Sequence, residues 1–207
     1  MNVDPRLLIS AVSLLALVNS ANAADLVYGQ SYHILNGAVQ GTTKWTGGFL
    51  DTAGGGCQGN FLCVSTAKSY DRSNNSGTWM IKSATGKPDG TTVYANDQVY
   101  LLNQYNGNGG YLDTDGNVCG GLYCVSTAHS SNRNSGSGTW LLIKGQWETG
   151  PIAVGDAVRL MNNYLVWSGG YLNTTVPGCQ GNLLCVNTVT TFSNGDKDTT
   201  IWQFGSQ

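Results

Sequence analysis

Very little in this chain would build long helices. It has one glutamate, Glu148, and three methionines among 207 residues, and only 11% of the residues are charged. The long unbranched side chains that favour helix are scarce. Past the N-terminal segment, no stretch keeps an apolar 3.6-residue period for about three turns.

Charge of one sign is missing as well. Ten lysines and arginines face twelve acids, for a net charge of −2, and the cations stand singly. That leaves no electrostatic footprint for nucleic acid or an anionic membrane. The two histidines, His33 and His129, are too few and too far apart to complete a zinc site. With a single glutamate, a paired-carboxylate hydrolase would need two aspartates placed across a cleft. Gly136-Ser137-Gly138 has no helix after it and is no nucleophile elbow. No catalytic set, metal or cofactor is expected.

The one long apolar run, Leu7 to Val18, follows Arg6 and leads to Ala21-Asn22-Ala23. This is the pattern of a secretory signal peptide (1–23), and the run is too short to anchor a membrane. A secreted or periplasmic mature chain, 24–207, is expected to form a single domain without membrane insertion.

What the chain does have is glycine (29 residues), threonine, asparagine and serine around short apolar runs, an all-β composition. It also repeats itself. "WTGGFLDTAGGGCQGNFLCVSTA" (45–67), "GGYLDTDGNVCGGLYCVSTA" (109–128) and "WSGGYLNTTVPGCQGNLLCVNTV" (167–189) align, with glycine pairs at 47/48, 109/110 and 169/170. Trp79, Trp140 and Trp202 recur in step, as do Asn36, Asn103 and Asn162. Three repeats result, about 26–93, 94–154 and 155–207.

Each repeat holds four strand-like runs. The first places Tyr32/Ile34, Val99/Leu101 and Val158/Leu160 on one face, with His33, Tyr100 and Arg159 opposite. The second runs through Phe49-Leu50, Tyr111-Leu112 and Tyr171-Leu172. The third contains Cys63, Cys124 and Cys185, and the fourth begins at the tryptophan. Threefold repetition selects one cysteine pairing: Cys57–Cys63, Cys119–Cys124 and Cys179–Cys185. Each closes a short loop worth about 2 kcal/mol by chain entropy. The glycine pair is expected to serve a positive φ or a close backbone approach.

A propeller needs more blades than three, and the Gln-x-Asp-x-Asn-x-Val-x-Tyr text of the mannose-binding β-prism is absent. Three tandem repeats of about sixty residues, each closing in a tryptophan strand, resemble the β-trefoil lectins, of which the ricin B-type are best known. The resemblance covers nearly the whole mature chain. It implies a β-trefoil with pseudo-threefold symmetry: strands one and four of each repeat form a six-stranded barrel, and strands two and three cap it as a hairpin. Motifs of the subfamilies differ. Gly77, Gly138 and Thr200 stand where ricin-type repeats carry the glutamine of Gln-x-Trp. Asp51-Thr52, Asp113-Thr114 and Asn173-Thr174 replace the His-Pro-x-Gly-Gly turn of mussel-type lectins. No sugar preference carries over.

A saccharide site needs short polar side chains at fixed geometry and an aromatic face for the sugar C–H groups. Asp51, Asp113 and Asn173 at the end of the second strand are candidates, although Asp or Asn before Thr also builds turns. The third-to-fourth strand loop adds Asp71-Arg72 and Asn132-Arg133, while Asn194 takes the arginine's place in the third copy. Two sound sites and a weakened third are expected. Trp79, Trp140 and Trp202 read as core; Trp45, Tyr105 and Trp167 are the candidate ring platforms. His129 lies on the route to the second site, His33 reads as structural, and Trp147 has no repeat counterpart. The leading expectation is a secreted, multivalent carbohydrate-binding protein whose partners are glycans or glycoconjugates. The alternative is an exported protein-binding trefoil, a protease inhibitor or a toxin-associated targeting module.

Overall fold

The computed structural model describes residues 23–38, 45–57, 60–146, 148–175, 179, 182–192 and 198–206. The proposed signal peptide up to Asn22, Trp147 and Asn194 lie outside the described residues.

Every repeat contributes four strands. The first supplies β1 (Ser31–Asn36), β2 (Phe49–Ala53), β3 (Cys63–Ala67) and β4 (Thr78–Ser83). The second supplies β5 (Gln98–Asn103), β6 (Gly110–Thr114), β7 (Val125–Ala128) and β8 (Trp140–Lys144). The third supplies β9 (Ala157–Asn162), β10 (Tyr171–Thr175), β11 (Leu184–Val189) and β12 (Trp202–Gly205). Strand starts fall within two residues of the sequence reading, whereas the second and third strands run on two or three residues further, and Cys124 stands just before β7.

The first and fourth strands pair antiparallel in a ring, β1–β4–β5–β8–β9–β12 and back to β1. No edge is left open along this ring, which removes the usual liability of an exposed strand. The second and third strands form hairpins β2–β3, β6–β7 and β10–β11. These meet through β3–β11, β3–β7 and a bridge between Cys124 and Asn187, so the hairpins close one end of the barrel.

Trp79, Trp140 and Trp202 are fully buried. Each indole N–H donates to a carbonyl of its own repeat's hairpin, Leu50, Leu112 and Leu172, at 2.8, 2.9 and 2.9 Å. Each ring thereby ties wall to cap while burying apolar surface worth about 4–6 kcal/mol. Around them pack Ile34, Leu101 and Leu160 from the first strands and Ile81, Leu142 and Phe204 from the fourth.

Asn36, Asn103 and Asn162 end the first strands, and all three are wholly buried. Each carboxamide reaches into the neighbouring repeat. Asn103 donates to the carbonyls of Ser76 and Thr78 and accepts from the Thr52 hydroxyl and the Tyr105 N–H. Asn162 makes the same four bonds to Ser137, Thr139, Thr114 and Tyr164. Asn36 closes the cycle onto Thr199, Ile201 and Thr174 of the third repeat, and also caps Ala38.

The glycine pairs follow from these asparagines. A Cβ on Gly47, Gly109 or Gly169 would collide with Oδ1 of Asn36, Asn103 or Asn162. The second glycines, Gly48, Gly110 and Gly170, sit at φ +84°, +86° and +80°. There a Cβ would lie 2.7, 2.8 and 2.5 Å from the carbonyl oxygens of Ala67, Ala128 and Val189. Close approach explains the first glycine, and both close approach and positive φ explain the second.

Replacing Asn103 with alanine orphans buried groups on two repeats and is expected to cost about 2–4 kcal/mol in urea unfolding. A loss near zero would show that the carboxamide merely fills space.

Candidate binding site

The cystines pair as expected, Cys57–Cys63, Cys119–Cys124 and Cys179–Cys185, with Cα–Cα distances of 4.9, 4.8 and 4.9 Å. Each staples a hairpin tip, and each tip leans on another repeat. The N–H groups of Leu183, Phe61 and Leu122 donate to Thr66, Thr127 and Thr188 at 2.9, 3.0 and 2.6 Å. The next N–H in each tip donates to the same threonine's hydroxyl at 3.2, 3.1 and 3.1 Å. Leu183, Phe61 and Leu122 thus cover Gly48, Gly110 and Gly170. Three junctions arise, where the tip of one repeat overhangs the hairpin of the next.

At the junction of repeats three and one, two adjoining depressions form a groove. One, about 490 Å³, is lined by Leu35, Trp45, Thr46, Gly48, Phe49, Lys68 and Leu183. The other, about 460 Å³, is lined by Ala67, Lys68, Arg72, Asn182 and Leu183. Lys68 and Leu183 belong to both. The groove therefore grades from an aromatic end at Trp45 and Phe49 to a polar end at Arg72 and Asn182.

Asp51, Asp113 and Asn173 are not surface groups, which corrects the expectation that they are candidates for direct saccharide contact: they are 0%, 0% and 4% exposed. Asp51 accepts from Arg72 at 2.6 Å and from the Ser76 hydroxyl at 2.8 Å. Asp113 accepts from Arg133 at 2.7 Å and from the Ser137 hydroxyl at 2.7 Å. Each arginine also donates to the next carbonyl along, Thr52 or Thr114, at 2.8 Å. The acids thus aim the arginines, and the arginines are what solvent meets: their side chains are 40% and 37% exposed. In the third repeat Asn173 instead bonds Asn187 and Thr199. Burial pushes both carboxyls above the ordinary aspartate range, outweighing the serine and arginine partners that pull them down.

Asp71 and Asn132 are exposed loop formers, accepting from the N–H groups of Asn75 and Gly136 at 3.0 and 2.9 Å. These loops explain the missing glutamine: a Cβ at Gly77 or Gly138 would run into the carbonyl of Tyr70 or Ser131. Trp45, Tyr105 and Trp167 are partly exposed on the connection between first and second strands, Tyr105 within the short turn Tyr105–Gly107. The turn Tyr164–Trp167 is unusual, since Leu165, Val166 and Trp167 have φ of 49°, 60° and 64°. Leu165 and Val166 are 51% and 84% exposed. His33, expected to be structural, packs its ring 4.6 Å from that of Tyr70 and bonds the Gly77 carbonyl.

Sequence reading named Trp45 and Arg72, both of which line this groove, but missed Lys68, Asn182 and Leu183. The available signal was a position where the repeats disagree: Lys68, His129 and Thr190 are equivalent. At the second junction Phe61 stacks on His129, with ring centroids 4.0 Å apart and planes at 30°. At the third, Tyr171 meets Phe192 edge-on at 4.9 Å. The three junctions share a backbone and differ in what fills them.

Asp113→Ala strips the acceptor from Arg133 and Ser137 and is expected to cost about 2–3 kcal/mol. Asp113→Asn is expected to cost far less, because Asn173 holds the equivalent place. The raised carboxyl means that the native state binds its proton before the unfolded chain does. Wild type should therefore gain stability relative to Asp113→Asn as the pH falls from the raised value toward the ordinary aspartate range. Melting curves across that range check both, and a wild-type loss would contradict the assignment.

No family model and no curated protein matches the sequence. Solved structures do match in shape. The SDF2-like protein from Arabidopsis thaliana aligns at TM-score 0.65 and 15% identity, covering 88% of this chain and 95% of that one. The Macrolepiota procera ricin B-like lectin, in complex with lactose, aligns at 0.53 and 14%, covering 89% and 100%. ThreeFoil, a designed 3-fold symmetric protein, aligns at 0.53 and 14%, covering 86% and 99%. At these identities the likeness is one of fold: this chain is an all-β closed barrel of β-trefoil-like architecture.

Proposed function

We propose that this protein is an exported β-trefoil of three four-stranded repeats that binds saccharides in the grooves where its repeats meet. The observation that carries the reading is the junction groove itself. An aromatic end, Trp45 and Phe49, adjoins a polar end, Arg72 and Asn182, in two depressions that share Lys68 and Leu183. That is the combination a hydroxyl-rich ring with apolar faces requires. The other junctions offer Tyr105 and Arg133, and Trp167 with Tyr171, as weaker counterparts. Asp71 and Asn132 shape the loops, and the buried Asp51, Asp113 and Asn173 act behind them. The lactose complex of the ricin B-like neighbour supports a sugar-binding use of the fold, as analogy.

Binding is favoured over catalysis because the two carboxylates that recur are each held by an arginine and a serine. Export is supported by three local cystines, which persist in oxidising compartments. Among the described residues, no helix is long and apolar enough to cross a membrane.

One observation favours the protein-binding alternative. Leu165 and Val166 are held exposed in a left-handed turn that non-glycine residues adopt only at a cost of about 1–2 kcal/mol each. An inhibitor would present such a loop, and incubation with serine and cysteine proteases separates the readings.

The test of the sugar reading is a glycan array on the oxidised protein followed by calorimetry. Trp45→Ala is expected to weaken the best hit by about tenfold or more without changing the melting temperature appreciably. Full retention of affinity would remove the first groove from the account.

A further inference from the structure

The polar end of the first groove has donors and almost no free acceptors. Arg72 has five N–H groups, of which one bonds Asn182 Oδ1 at 2.6 Å, one Asp51 and one the Thr52 carbonyl. About two remain available. Asn182 spends its oxygen on Arg72, while its Nδ2 is buried without a hydrogen-bond partner among the described residues. Lys68 lines both halves of the groove, is exposed, and makes no ion pair among the described residues. Of the acids nearby, Asp51 lies buried beneath Arg72 and balances its charge. Asp71 is turned to the Asn75 N–H and does not line the groove. Lys68 is therefore the uncompensated cation.

A neutral hydroxyl both donates and accepts, so a pocket that only donates wastes half of what it offers. A carboxylate or sulfate only accepts, and it matches the two cationic donor groups, Lys68 and Arg72, that the groove presents to solvent. Trp45 and Phe49, at the other end of the same groove, supply an apolar face. Building on the saccharide-binding reading above, we infer that this groove selects acidic saccharides, with the sugar's carboxylate or sulfate held by Lys68 and by Arg72, which Asn182 braces, while its ring lies toward Trp45 and Phe49. The selectivity belongs to this junction alone. Its counterparts of Lys68 are His129, against which Phe61 is stacked, and Thr190, which carries no charge.

The test is calorimetric titration of the oxidised protein with one oligosaccharide in three forms: neutral, capped by a carboxylate-bearing sugar, and sulfated. Inorganic sulfate alone is titrated in parallel. One or both acidic forms are expected to bind about tenfold more tightly than the neutral one, and which of them does so identifies the source of the anion. The preference should shrink as salt is raised. Lys68→Gln should abolish it by weakening the acidic forms more than the neutral one, and Trp45→Ala should weaken all three forms alike. Equal affinity for neutral and acidic forms overturns this inference and leaves the saccharide reading standing. A preference that survives in Lys68→Gln also overturns it. Sulfate alone binding as tightly as the sulfated saccharide marks a bare oxyanion site and overturns it too. Absence of binding by every form removes both readings.

Discussion

A buried carboxamide must find partners for two N–H groups and a carbonyl oxygen, and the asparagines that end the first strands find both N–H acceptors, and a hydroxyl donor besides, across a repeat boundary. Asn36, Asn103 and Asn162 each meet that demand in the adjoining repeat, head to tail around the molecule. None of the repeats can be satisfied alone. The glycine pair is a consequence, because the first glycine makes room for the carboxamide oxygen and the second turns the chain tightly under its neighbour's backbone. Tip residues Leu183, Phe61 and Leu122 then settle over the space that the second glycine leaves open. The junction grooves exist because the repeats interlock in this way.

Positions where the repeats agree serve the interlock, and positions where they disagree furnish the grooves. Tryptophan, asparagine, the glycine pair and the cystines recur without change. Arg72 and Arg133 are held alike by Asp51 and Asp113, a shared scaffold of buried acid and half-exposed guanidinium. The third repeat replaces that acid and arginine with Asn173 and Asn194, and the three copies differ again in the residue beside the scaffold, lysine, stacked histidine or threonine, and in the rings on the first connection. A symmetric frame with unlike junctions lets one protein hold distinct subsites at fixed spacing, which favours engagement of a branched or clustered ligand over a single residue of sugar.

Much of this was legible in the sequence because repetition converts single residues into patterns. Trp79, Trp140 and Trp202 read as core, the cystine pairing followed from copy number, and the alternation Tyr32/Ile34 marked the inner face of β1. The aspartates were harder. An Asp-Thr at a strand end looks the same whether it faces water or a guanidinium that folds back from 21 residues on, as Arg72 does over Asp51. The groove was harder still, because Asn182 and Arg72 are 110 residues apart and meet only when the third repeat closes on the first. Alignment of the copies stresses what they share, so Lys68, where they differ, carried no weight until the structure placed it between Trp45 and Arg72.

The central claim is that ligand is held between repeats, on ground that no single repeat supplies. Mapping amide chemical shifts of the oxidised protein as the best-binding saccharide is added tests it most directly. Binding between repeats requires the largest changes at Phe49, Lys68 and Arg72 from one repeat together with Asn182 and Leu183 from another. Changes confined to the tip of one hairpin, or to the turn bearing Leu165 and Val166, would contradict it.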